Sequence, residues 1–147
     1  MLITIWLLLG FLLASVCIAI LKHAPESTAR RMMAVGLVVA ALIYLLFTLP
    51  GGDSSWMGIE ALGVLLYGLL AWLGLTRSVR WLAAGWAAHP LWDVLLHQVI
   101  SGSRYAPEWY VFLCLSFDVV IAIHLFTAPD RMPVEARTDA PGKVKTS

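Results

Sequence analysis

Apolar residues in this chain come in five long runs, at about 2–21, 32–49, 56–75, 81–100 and 108–127. Each approaches the roughly 20 residues that an α-helix needs to cross a hydrocarbon layer. Turn-forming or charged residues separate them, including Pro50-Gly51-Gly52-Asp53, Ser101-Gly102-Ser103 and Pro107. The pattern predicts an all-α integral membrane bundle of five transmembrane helices, filling residues 1–128. Residues 129–147 mix charge, Pro and Gly without an apolar face, which predicts a disordered cytoplasmic tail. No Lys or Arg precedes the first run and no A-x-A site precedes a polar start. That run is therefore expected to be a retained helix, not a cleaved signal.

Charge adds an orientation. Lys22, Arg30 and Arg31 fall in the first loop, Arg77 and Arg80 in the third, and Arg131, Arg137, Lys143 and Lys145 in the tail. With five spans these share one side, and the other side keeps only Arg104. The positive-inside rule then puts the N-terminus outside and the C-terminus in the cytoplasm of a bacterial plasma (inner) membrane. Trp6, Trp56 and Trp109 fall at outer helix ends, and Trp72 and Trp81 at inner ends, as aromatic belts do.

Composition sharpens the class. The chain has 147 residues, of which 61% are hydrophobic and 13% charged, with a mean hydropathy of +0.85. A soluble domain of this size cannot hide so much apolar surface, so the expected partner is the lipid bilayer. The net charge of +1 offers nothing to a nucleic acid. Cys17 and Cys114 lie inside apolar runs and read as small buried hydrophobes. Gly58, Gly63, Gly68 and Gly74 on the third helix are expected to permit close helix approach. P-loop, GxGxxG, GxSxG and CxxC motifs are absent.

The chemistry concentrates in residues 86–97, WAAHPLWDVLLH. His89, Asp93 and His97 are spaced by four and share a helical stripe that drifts by about 40° per step. Pro90 between them removes a backbone donor and predicts a kink. Ionisable groups at membrane depth are costly and mark functional sites. With a rise of about 1.5 Å per residue, His97 falls level with Glu60 near the outer boundary. Asp93 and His89 fall deeper, level with Asp118 on the fifth helix. The expectation is therefore two levels, His97 with Glu60 and His89 with Asp93 and Asp118, at the foot of a cavity open to the outside.

Three functions fit these residues. Imidazole and carboxylate ligands suit zinc, iron or manganese, and the candidate ligands are His89, Asp93, His97, Asp118 and Glu60. His89 and His97 stand about 12 Å apart on an intact helix, so one ion cannot take both. A membrane-embedded enzyme would use His89, Asp93 and Asp118 as ligands or as acid–base groups on a lipid-like substrate. Trp92, Tyr110 and Tyr67 would then line the substrate. A proton or metal-ion transporter would use the same groups as a path, and a non-enzymatic subunit would use them as a polar packing network.

The motifs GWAAHPLWDVLLH, APEWY and CLSFDVVIA resemble those of a family of small bacterial integral membrane proteins of unknown function. The likeness is best over helices four and five and looser around Pro50-Gly51-Gly52 and Glu60. It implies multi-pass topology and carries no activity. A weaker analogy, to five-helix membrane sterol isomerases, rests only on buried His and acidic groups in a different order.

Overall fold

The computed structural model describes residues 1–50, 54–100 and 105–128. The turn residues Gly51, Gly52 and Asp53, the turn at Ser101-Gly102-Ser103 with Arg104, and the tail from 129 lie outside the described residues. Five α-helices, α1 Leu2–Leu21, α2 Glu26–Thr48, α3 Ser54–Thr76, α4 Val79–Asp93 and α5 Glu108–Thr127, make up the fold. A π-helical segment, Val94–Val99, continues α4 directly. The described residues include no strand.

Local chemistry sets the helix starts. α2 begins at Glu26, ahead of the apolar run that opens at Met32, because the polar stretch ESTARR is itself helical. Pro25 precedes it, Glu26 sits favourably at the positive end of the helix dipole, and Glu26 meets Arg30 at 3.8 Å one turn on. Ser78 caps α4, its hydroxyl accepting from the Arg80 N–H at 3.2 Å.

Four helices (α1, α2, α3 and α5) are long and apolar enough to cross a membrane. The expected fourth run is divided, with 15 residues of α-helix followed by 6 of π-helix. The division follows Pro90, whose missing N–H leaves the Trp86 carbonyl without its usual partner. Beyond Asp93 the register widens, and the Ile100 N–H reaches back five residues to the Leu95 carbonyl at 3.0 Å.

α4 is the central element and packs against α2, α3 and α5, whereas α1 packs mainly on α5. Large apolar side chains such as Leu8, Val35, Leu65, Leu91 and Ile123 point outward, as expected of a surface whose solvent is lipid. Small residues allow the close contacts. Gly10 faces the Leu113 carbonyl and the Ser116 hydroxyl of α5. A Cβ at Gly74 would lie 2.6 Å from Leu82 Cβ, and one at Gly63 would lie 3.2 Å from the Trp92 ring. Gly58 and Gly68 face open space, so only two of the four α3 glycines serve close approach. Tertiary neighbours decide this, and the glycine spacing does not reveal them.

The half of the bundle remote from His97 is apolar. Leu37, Leu82, Ala83, Ile121 and Leu125 form its centre, and Trp86 ties α4 to α2 by donating to the Met33 carbonyl at 3.2 Å.

Candidate functional site

Two helices bring their polar groups to one place. α4 supplies His89 and Asp93, one turn apart, and α5 supplies Asp118. His89 Nδ1 lies 2.9 Å from Asp118 Oδ2 and 3.3 Å from Asp93 Oδ2. The single Nδ1 proton serves the shorter contact, so Asp118 takes the hydrogen bond. Asp93 keeps a close imidazole neighbour, yet neither of its oxygens has a donor in hydrogen-bonding geometry.

The second level is separate. His97 Nε2 on the π segment lies 3.1 Å from Glu60 Oε1 on α3. α4 and its π continuation therefore stand between α3 and α5, with His97 facing Glu60 on one side and His89 and Asp93 facing Asp118 on the other.

All five residues are at most 2% exposed. The expected cavity open to the outside is thus replaced by a sealed centre. The reason is aromatic. Tyr44 of α2 stacks on His97, with ring centres 4.7 Å apart and planes 18° apart. It also meets His89 edge-on at 5.6 Å. Tyr67 covers His89 at 4.9 Å, and Trp92 lies against Tyr67 at 6.2 Å. Tyr110 packs against Tyr44 at 5.4 Å and stands beside the Cys114 thiol. Trp56 and Tyr105 close the layer beyond His97. Trp92, Tyr67 and Tyr110, read as substrate-lining residues, thus stand around the centre as packed walls.

Tyr44 escaped the sequence reading. It is the sole hydroxyl-bearing side chain between Met32 and Phe47 in α2, and that isolation is the signal that points to it. Its hydroxyl stands beside the Asp93 carboxylate and the Cys114 thiol, outside aligned hydrogen-bond geometry.

The π segment explains how one tyrosine meets both histidines. On an intact α-helix the stripe drifts by about 40° from His89 to Asp93 and as much again to His97. A π turn, with roughly 4.4 residues per turn, falls back by about 30° over four residues. His97 thereby returns to the face of His89, and Tyr44 spans the two.

His89, Asp93 and Asp118 can hold a metal ion, with ligand atoms all within 4.8 Å of one another. Tetrahedral bonds of about 2.0–2.2 Å place neighbouring ligand atoms about 3.3–3.6 Å apart; the 3.3 Å contact matches this, and the 2.9 Å one is the shorter separation of a hydrogen bond. The same three residues also form ion pairs among themselves. Two ionised carboxylates and one protonated imidazole would leave a net negative charge, which a bound proton or cation offsets. Burying it without a counter-charge is expensive. His97 and Glu60 stand outside this group.

The profile of a family of unknown function, DUF6010, matches residues 5–130. No curated protein and no solved structure matches the chain.

Proposed function

The chain belongs to the DUF6010 family of unknown function, and we propose that it is a membrane-embedded metalloenzyme acting on a lipid-like substrate. In this reading it spans a bacterial plasma membrane five times, α4 and its π continuation forming the fourth span. The N-terminus is outside and the C-terminus cytoplasmic. Basic residues at Lys22, Arg30, Arg31, Arg77 and Arg80 support that orientation, because they gather at one end of the bundle.

One observation carries the metal. Asp93 is wholly buried, and both its oxygens lack a hydrogen-bond donor. A buried carboxylate in that state calls for a cation. With His89 and Asp118 it would form a three-ligand site, which suits zinc, iron or manganese and leaves a coordination position for substrate. The bound ion would act as a Lewis acid. Without an ion, His89 and Asp93 would instead be the acid–base pair, with the Tyr44 hydroxyl beside them. A lipid would reach the centre between α3 and α4, where Trp92 lies over Gly63 and Tyr67 separates it from His89.

Complete burial and the 2.9 Å hydrogen bond from His89 to Asp118 favour a second reading, a polar network that fixes helix packing. A transport path is less well supported, because the described core on the inner side of Asp118 is apolar through Ile121, Leu82 and Leu125.

Elemental analysis of the purified full-length protein separates the readings. About one zinc, iron or manganese per chain, lost in Asp93→Ala, supports the metal centre. Wild-type protein without stoichiometric metal overturns it and leaves metal-free acid–base chemistry or the packing network. Vesicles made from bacterial lipid extract, incubated with wild type or His89→Ala and profiled by mass spectrometry, test the chemistry. A product lost in the variant supports the enzyme, and unchanged lipid with either protein overturns it.

A further inference from the structure

Two tryptophans of α4 carry buried indole nitrogens, and they are completed differently. Trp86 donates its N–H to the Met33 carbonyl at 3.2 Å. Trp92 Nε1 is buried and has no hydrogen-bond partner. Buried N–H donors are nearly always paired, so Trp92 offers a donor that an acceptor from outside the chain would complete.

The unpaired N–H lies in the seam between α3 and α4. A Cβ built on Gly63 of α3 would stand 3.2 Å from Trp92 Cζ2, 3.3 Å from Cε2 and 3.4 Å from Nε1, so the N–H edge of the ring rests on α3. Tyr67 meets the ring edge-on at 6.2 Å and stands between it and His89. Trp92 as a whole is only half-buried, which leaves part of it at the lipid-facing surface.

Depth and charge define the acceptor. His89 stands midway between Val79 and Val99, and Asp118 midway along α5. At a rise of about 1.5 Å per residue both lie about 15 Å from the helix ends, inside the hydrocarbon layer. Trp92 is about 5 Å further along the helix axis than His89. Among the described residues every Lys and Arg (Lys22, Arg30, Arg31, Arg77 and Arg80) lies at the other end of the bundle. At Trp92 a phosphate would lose its water and find one N–H and no Lys or Arg in exchange, which is costly. An uncharged oxygen is desolvated far more cheaply, and one N–H is enough to satisfy it.

We infer, resting on the membrane-embedded enzyme proposed above, that Trp92 anchors its substrate. The indole N–H donates to an uncharged oxygen, such as a carbonyl, hydroxyl or ether, on a neutral lipid whose chain lies along the α3–α4 seam. Trp92 is then a binding residue that selects neutral, oxygen-bearing lipids over bare hydrocarbon and over anionic lipids.

Photocrosslinking of the full chain in nonionic detergent, with peptide mapping by mass spectrometry, tests this. The three probes share one saturated chain with a diazirine at its middle: the methyl ester, the plain alkane and the alkyl phosphate. The ester should label α3 and α4 peptides of the seam about fivefold more than the alkane, the size of one neutral hydrogen bond, and more than the phosphate. Trp92→Phe keeps a ring on Gly63 and removes the N–H. It should lower the ester to the level of the alkane and leave alkane labelling unchanged. Trp109→Phe, on an exposed residue at the start of α5, should keep the wild-type ratio. Equal labelling by ester and alkane, or a ratio that survives Trp92→Phe, overturns the anchor and leaves Trp92 as packing. Stronger labelling by the phosphate overturns the uncharged class. Selective ester labelling without any product in the lipid-extract assay sinks the enzyme and keeps the lipid site, whereas product formed alongside equal labelling sinks the anchor alone.

Discussion

The two halves of the fourth helix are equally hidden and differently completed. From Val79 to Trp86, α4 buries Val79, Leu82, Ala83, Gly85 and Trp86 against apolar neighbours. The main polar demand there, the Trp86 indole N–H, is met by the Met33 carbonyl. From His89 to His97 the helix buries His89, Asp93 and His97 just as deeply. There both oxygens of Asp93 and the Tyr44 hydroxyl have no hydrogen-bond partner. Packing alone completes the first half. The second half has the helix widened by a π turn, two carboxylates buried around one imidazole, and unmet acceptors. A polar network that served packing alone would satisfy its own members. Asp93 is the point at which the two halves differ, and with His89 and Asp118 it forms a group compact enough to hold a metal ion.

Breaking the charged half should have the largest effect. His89→Ala leaves the Asp93 and Asp118 carboxylates facing each other without their shared imidazole. It should cost about 3–5 kcal/mol in unfolding of the detergent-solubilised protein. Adding Asp118→Asn to His89→Ala should recover part of that loss. A double variant no more stable than His89→Ala would show that these groups do not act as a charge unit. Breaking the apolar half comes next. Gly74→Val would place side-chain atoms against Leu82, whose backbone N lies only 3.1 Å from an added Cβ. It should cost about 1–3 kcal/mol, while Gly58→Val, facing open space, should stay within about 0.5 kcal/mol of wild type. Equal thermal midpoints for the two glycine variants would refute the close α3–α4 contact.

The smaller effects sharpen the division between the two levels of the site. Glu60→Gln weakens the pair with His97 and should cost about 1–3 kcal/mol without changing metal content. Metal lost along with Glu60 would join the levels into one site. Tyr44→Phe removes a hydroxyl that holds no aligned hydrogen bond and keeps the ring between the histidines. Its stability should change by less than about 1 kcal/mol. A product formed by wild type and lost in Tyr44→Phe would then assign the hydroxyl to chemistry.

Much of this was legible beforehand, for reasons that differ by residue. Helical period and rise are properties of the backbone alone. They sufficed to align His89 with Asp118 and His97 with Glu60, pairs that lie 2.9 and 3.1 Å apart in the folded chain. Tyr44 was hidden because no spacing rule on α2 says which of its faces meets α4. The sealing of the site was hidden for the same reason, since the Tyr44, Tyr67 and Trp92 rings converge from three helices. Of the α3 glycines, Gly63 and Gly74 differ from Gly58 and Gly68 only in what stands opposite.

The stretch WAAHPLWDVLLH thus owes its features to two levels of cause. Sequence by itself determined an all-helical, membrane-like chain, because runs of apolar residues leave the backbone no other way to satisfy its N–H and C=O groups in lipid. It also determined that His89 and Asp93 share a face one turn apart. Only the tertiary structure decided that α4 lies between α3 and α5, and that Asp93 is left without a donor. It also decided that a π turn after Asp93 brings His97 back to Tyr44. Periodicity is set within one helix, whereas the charge balance and closure of a buried site depend on which helices meet.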